Sequence, residues 1–195
     1  DLDMYLIKTS ETVKDIACLL FQLTNRKLQT TLFIDCENGI GSLSLIKLND
    51  LLDNYIQFIL LNCNKRNMNL MPKNKKIISL NGNGNQFTYY YIDNNKNNKR
   101  IISINSIKSL FSKFFRDILQ ENYNEKDIQI RFTDKGCGTI NTQNIESKIK
   151  TNKCVKYKLL NKMTNLMNPC ISDSIHNILL IETILHYFNM DIFDL

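Results

Sequence analysis

Tryptophan is absent from this 195-residue chain, which has only 2 prolines, 6 glycines and 2 histidines. So few prolines and glycines exclude collagen-like and proline-rich classes. No apolar run approaches the ~18 residues of a membrane-spanning helix, and no secretory signal pattern is present. The six cysteines, Cys18, Cys36, Cys63, Cys137, Cys154 and Cys170, include no Cys-x-x-Cys pair. The close ligand spacing of a structural zinc site is therefore missing. Irregular spacing without a signal fits reduced thiols, so the expected location is cytoplasmic. The two imidazoles, His176 and His186, lie in one apolar helical stretch, where packing is the expected role. The chain opens on Asp1 and reads as a segment of something longer.

What is present suits a folded domain. Hydrophobic residues make up 43% of the chain, enough for a buried core and too many for a wholly disordered one. The net charge of +6 permits an anionic partner. The basic clusters at 73–76 and 96–100 are not interleaved with stacking aromatics, so they are expected to be solvated loops, and no nucleic acid is expected as a partner. No membrane partner is expected either. Asparagine occurs 27 times, a bias shared with Lys and Ile that AT-rich codons explain, so some polar positions carry no structural message.

Apolar spacing predicts alternating elements. A helix is expected over 9–23, capped by Thr9 or Ser10, followed by a strand over 31–35. A glycine-bearing turn then leads into a helix over 43–52, and a strand over 55–61 follows. The polar run 62–74 reads as a loop. Strands are expected at 75–80, 87–93 and 100–104, and an amphipathic helix over 106–119 carries Ile107, Leu110, Phe111, Phe114 and Ile118 on one stripe. A second unit is expected from 123, with a strand at 128–132, a turn at 134–139 and a weak helix at 140–150. A short strand at 154–159, a loop at 161–170 and an apolar helix at 172–189 capped by Ser172 complete it. The fold class is α/β, two consecutive units divided as 1–122 and 123–195, with a mixed sheet and flanking helices.

Several small constellations have plain structural readings. Ser172, Asp173 and His176 do not make a catalytic triad, because a helix N-cap accounts for Ser172 and a first-turn carboxylate for Asp173. Cys137 between Gly136 and Gly138 lacks the Lys-Ser/Thr ending of a phosphate loop. Tyr89, Tyr90 and Tyr91 alternate faces in a strand and are expected to pack.

The run Asn81-Gly82-Asn83-Gly84-Asn85-Gln86 lies between two strand-like segments and reads first as a hairpin turn. It resembles the metal-loop segment of the phosphoacetylglucosamine mutases, a branch of the α-D-phosphohexomutases, where D-G-D-A-D-R precedes a hydrophobic pair and Y-Y-Y. Two further stretches fall in the same order. Asp35-Cys36-Glu37-Asn38-Gly39-Ile40-Gly41 is similar to the family's D-C-A-N-G-I-G. The segment 166–185 is similar to its G-D-A-I-S-D…V-I-E-A-I-L helix. The resemblance covers roughly residues 10–190 and places the chain on the second and third of the family's four domains.

It implies an activity. Family members interconvert N-acetylglucosamine 6-phosphate and 1-phosphate through an active-site phosphoserine and Mg2+, on the way to UDP-N-acetylglucosamine. The phosphoserine belongs to the first domain and a phosphate-gripping loop to the fourth, and neither motif occurs in these 195 residues. No catalytic residue is therefore expected here. The implied partners are a phosphosugar and those two further domains.

The chain departs from the family where the chemistry is concentrated. The three metal aspartates correspond to Asn81, Asn83 and Asn85, and the phosphate-binding arginine to Gln86. Each carboxylate lost removes on the order of 4 kcal/mol of attraction at ~4 Å and an effective dielectric near 20. Magnesium sheds its water reluctantly and depends on carboxylates or phosphates, so it is expected to bind weakly or not at all. Loss of the arginine removes a phosphate contact. The family's sugar-specificity segment, E-A-N-G-H-G, has no match. Two functions follow as alternatives: a divergent mutase, inactive as this segment alone, or a catalytically dead homologue serving as an interaction or structural protein.

Overall fold

The computed structural model describes residues 2–37, 39, 41–63, 71–81, 83–93, 99–120, 124, 126, 128–132, 138–142, 145–166 and 173–195. In chain order the elements are α1 (Leu2–Thr24), β1 (Thr30–Asp35), α2 (Gly41–Leu52), β2 (Ile56–Leu61), β3 (Lys76–Leu80), β4 (Phe87–Ile92), β5 (Lys99–Ile101), α3 (Ile104–Leu119), β6 (Gln129–Phe132), β7 (Gly138–Asn141), α4 (Glu146–Thr151), α5 (Val155–Leu166) and α6 (Ser174–Phe188). A terminal 3-10 turn spans Ile192–Asp194.

Five strands form one mixed sheet in the order β2-β1-β3-β4-β5. The β1–β2 and β1–β3 pairs are parallel, while β3–β4 and β4–β5 are antiparallel. Strands β6 and β7 make a separate antiparallel pair. The β1–α2–β2 unit follows from β-branched and apolar residues meeting a glycine-bearing turn, after which α2 buries Leu45, Leu48 and Leu52. Crossing from β1 to β2 through a helix makes that pair parallel, whereas the short 81–86 connection makes β3 and β4 antiparallel.

Helices α1 to α6 all contribute to one hydrophobic cluster, with Leu32 and Ile34 of β1, Ile78 and Leu80 of β3 and Tyr89 of β4 supplying its sheet side. The opposite face carries a smaller cluster of Met71, Ile77 and Tyr90 with Phe33, Leu61 and Ile92. Alternation along each strand produces this division.

The structure corrects several expectations. Helix α1 begins at Leu2, and Thr9 and Ser10 are interior residues whose hydroxyls donate to the carbonyls of Tyr5 and Ile7. Such back-bonding mimics a capping signature in sequence. Strand β5 ends at Ile101, because Ser103 caps α3 by accepting from the Ser106 N–H. The expected helix at 140–150 is a strand, β7, followed by the short α4. The expected strand at 154–159 is the start of α5, and the expected loop from 161 is its continuation. The cap of α6 is Asp173, which accepts from the Ile175 N–H, while Ser172 lies outside the described residues. The Cys137 turn lies outside them as well.

Lys76 belongs to the basic cluster expected to be solvated and also to the strand expected at 75–80; it is the first residue of β3, and its ammonium reaches the carboxylate of Glu182 at 2.7 and 3.0 Å. Glu182 is only 4% exposed and also accepts from the Tyr89 hydroxyl at 3.0 Å. This buried pair pins α6 to the sheet.

Candidate functional site

The parallel strands β2, β1 and β3 end at a common edge, where an open α/β sheet places its ligand crevice. Three connections meet there: the turn from β1 into α2, the hairpin 81–86 from β3 to β4, and the N-terminal end of α6. A cavity of about 500 Å³ lies among them, lined by Tyr5 and Leu6 of α1, Gly41 and Ser44 of α2, and Asn83 and Asn85 of the hairpin, with Asp173 beside α6.

Local chemistry shapes the hairpin. The Asn81 N–H donates to the Gln86 carbonyl at 3.1 Å, closing the loop, and the Gly84 N–H donates to the Asn81 carbonyl at 2.8 Å. Gly84 takes φ +69°, which a side chain would strain, and packs against the backbone of Gly41. Asn81 then staples the turn from within. Its Oδ1 accepts from the backbone N–H groups of Asn85 (3.0 Å) and Gln86 (3.1 Å), and its Nδ2 donates to Asn85 Oδ1 at 2.7 Å.

This arrangement does not suit a magnesium ion. An amide oxygen has two lone pairs, and both on Asn81 face backbone donors. One lone pair on Asn85 is also engaged. What remains is neutral, whereas a hard divalent cation needs oxygen ligands with charge. Among the described residues no group of three or more His, Cys, Asp or Glu side chains is placed to hold a metal.

Of the residues singled out from sequence, Asn83 and Asn85 reach the cavity. Asn81 turns into its own loop, and Gln86 enters the hydrogen bonding of the hairpin through its backbone.

Sequence reasoning missed the cavity's carboxylate. Asp173 caps α6 through Ile175 N–H (2.8 Å) and accepts a hydrogen bond from the Tyr5 hydroxyl. That hydroxyl also lies 3.3 Å from His176 Nδ1, and Thr9 Oγ1 lies 2.9 Å from His176 Nε2. The Tyr5 and His176 rings stack with centroids 5.0 Å apart. Burial and the Asp173 carboxylate both push the Tyr5 hydroxyl well above its ordinary value, so it remains a donor. Burial pulls His176 down, against the opposing pull of Asp173. The signal in sequence is Asp173 at the start of the apolar helix, legible as a first-turn carboxylate and silent about the tyrosine 168 residues away.

A second buried carboxylate, Asp35, ends β1 at 2% exposure. It accepts from the Tyr90 hydroxyl (3.2 Å), Asn62 Nδ2 (2.8 Å) and the Glu37 N–H (3.4 Å). It ties the end of β1 to the residue that follows β2 and to the middle of β4.

Solved structures share this architecture. An N-acetylglucosamine-phosphate mutase of the α-D-phosphohexomutase superfamily, in a substrate complex, superposes with a TM-score of 0.81 and 18% identity over 97% of this chain. The Aspergillus fumigatus N-acetylphosphoglucosamine mutase, in complex with GlcNAc-6P and magnesium, superposes with a TM-score of 0.77 and 19% identity over 95% of it. The chain has an α-D-phosphohexomutase fold. It spans about half the length of these solved proteins, 48% of the first and 51% of the second. No protein-family model matches the chain, and no curated protein matches it in sequence. No helix among the described residues is long and apolar enough to cross a membrane.

Proposed function

We propose that this chain is the central part of a phosphoacetylglucosamine mutase-like protein, a phosphosugar isomerase of UDP-N-acetylglucosamine biosynthesis acting in the cytoplasm. Residues 1–122 correspond to the second domain of such a protein and 123–195 to a shortened third. Its ligand is a phosphosugar, with first and fourth domains supplying the phosphoserine and the phosphate grip. The hairpin 81–86 stands where the family carries its metal loop, and here that loop has lost magnesium recruitment, so the segment alone is inactive. The fold shared with solved mutases supports the first part of this reading.

The observation that carries the second part is the internal closure of Asn81, whose oxygen is spent on two backbone donors. It favours the non-catalytic alternative, a homologue retained as an interaction or structural protein, over an enzyme that coordinates the ion through amides.

Calorimetric titration with magnesium chloride tests this directly, with the native chain beside an Asn81→Asp/Asn83→Asp/Asn85→Asp variant. The native chain should release no binding heat, while the variant should bind. Heat from the native chain would overturn the loss of recruitment and favour an active enzyme. A mutase assay on the full-length protein with N-acetylglucosamine 6-phosphate then separates the divergent enzyme from the dead homologue.

A further inference from the structure

Two thiols meet at the sheet edge. Cys36 directly follows β1 and Cys63 follows β2 two residues beyond its end. The strands are parallel, with Asp35 opposite Leu61 as their last pair, and the Cys36 N–H continues the ladder to the Leu61 carbonyl at 3.0 Å. Simple alternation would then carry position 62 to the helix-covered face and position 63 away from it.

Asn62 breaks that alternation with φ +56°. Leu61 packs in the smaller cluster and the Asn62 side chain reaches Asp35 on that same side. Cys63 consequently returns to the helix-covered face, where it packs against the main core that contains Cys36. The parallel register sets Cys36 and Cys63 diagonally across the β1–β2 ladder, and the neighbouring Cys63 thiol helps to push the Cys36 thiol up. Cys36 is 2% exposed, whereas Cys63 is only partly buried. One thiol is thus open to solvent-borne oxidant and its neighbour is sheltered behind it.

We propose that Cys36 and Cys63 form an oxidation site that closes reversibly to a disulfide between the ends of β1 and β2. The oxidant class is a hydroperoxide. Its terminal oxygen transfers to the Cys63 sulfur, giving a sulfenic acid and releasing the alcohol, or water from hydrogen peroxide. The Cys36 sulfur then attacks the Cys63 sulfur. The S–S bond forms, the S–OH bond breaks, and the hydroxide leaves as water with the Cys36 proton. Two thiols are oxidised and one peroxide is reduced. Cys63 is the more accessible of the two thiols, and burial together with the neighbouring thiol pushes Cys36 up to about 12. That assigns first oxidation to Cys63.

The bond would join the turn leading into α2 to the segment after β2. Gly41, at the start of α2, lines the cavity shared with Asn83 and Asn85, so the cross-link fixes one wall of the candidate site. The inference rests on strand register and side-chain placement and is independent of the sugar-phosphate reading.

The test uses the reduced native chain treated with hydrogen peroxide, quenched, alkylated and digested with trypsin without reductant. Cleavage after Lys47 puts the two cysteines in separate peptides. The expected product is a Cys36–Cys63 cross-linked peptide pair, lighter by two hydrogens than its reduced components and released by dithiothreitol. The exposed Cys18 and Cys154 should be absent from it. Oxidised protein should melt several degrees higher than reduced protein, because the bond closes a loop in the unfolded chain. Cys63→Ser, checked for native circular dichroism, should leave Cys36 unoxidised and remove the shift. Accumulation of Cys63 sulfinic or sulfonic acid with Cys36 still alkylatable would overturn the proposal, as would pairing of Cys63 with any other cysteine.

Discussion

Glu182 shows what a single residue contributes when its partners are buried with it. The carboxylate is 4% exposed and holds the Lys76 ammonium, whose side chain is 16% exposed, together with the Tyr89 hydroxyl. Removing one member of a buried ion pair strands the other charge, at a cost of about 3–5 kcal/mol. Glu182→Ala should lower unfolding stability by that amount in a urea titration. Lys76→Met/Glu182→Leu together should lose much less, since no charge is left unpaired. His176 offers a pH-dependent counterpart. Burial holds its folded-state value below the ordinary 6.5, so between those two values the unfolded chain binds more protons than the native one. Stability is therefore full above 6.5 and falls as pH drops below it. Urea midpoints measured from pH 7.5 down to 5.5 should decline, and the decline should be shallower in His176→Gln. An equal slope in both proteins would remove His176 as the cause. At this scale the sequence was partly legible. The turn at 81–86 was plain from Asn-Gly spacing, and packing of His176 from its apolar surroundings. The contacts of Lys76 with Glu182 and of Tyr5 with Asp173 join residues more than 100 positions apart, and no local pattern encodes them.

Elements were legible where one period dominated. Helix α3 carries Ile107, Leu110, Phe111, Phe114 and Ile118 on its buried stripe, and all five are buried. Helix α5 resembles a strand in sequence because Val155, Tyr157 and Leu159 alternate like one and two of them favour strands. The buried set, Leu159, Leu160, Met163 and Leu166, has helical spacing that begins only where the alternation ends. Tertiary burial therefore outweighed β propensity. The N-terminal end of α3 depends on a single hydroxyl, with Ser103 Oγ accepting from the Ser106 N–H at 3.1 Å. Ser103→Ala should cost about 1 kcal/mol, and Ser103→Asp should restore most of it, because a carboxylate also satisfies that N–H and complements the helix dipole. Urea midpoints of the three proteins provide the measurement, and no loss in the alanine variant would mean that water replaces the cap.

At the scale of the whole molecule, the alternation of strands and helices was enough to indicate an α/β layering, but not how the later helices dock. Helix α1 packs on α2, and also on α5 and α6 from the far end of the chain. One hydrophobic cluster takes in Leu6 and Leu20 of α1, Phe114 of α3, Leu160 of α5 and Leu180 of α6. The stretches 1–122 and 123–195 therefore share a core, and we predict that they unfold together. Far-ultraviolet circular dichroism and tyrosine fluorescence should give coincident urea transitions, the mark of a two-state domain. A fragment ending at residue 122 removes α5 and α6 from α1 and leaves Glu182 missing beneath Lys76 and Tyr89. Opening that much apolar surface, together with a stranded ammonium, outweighs the few kcal/mol that separate a folded domain from its unfolded chain. The fragment should therefore retain helical signal without a cooperative melt. A sharp, reversible transition in it would show instead that the first 122 residues form a core of their own, with α5 and α6 added to a domain already folded.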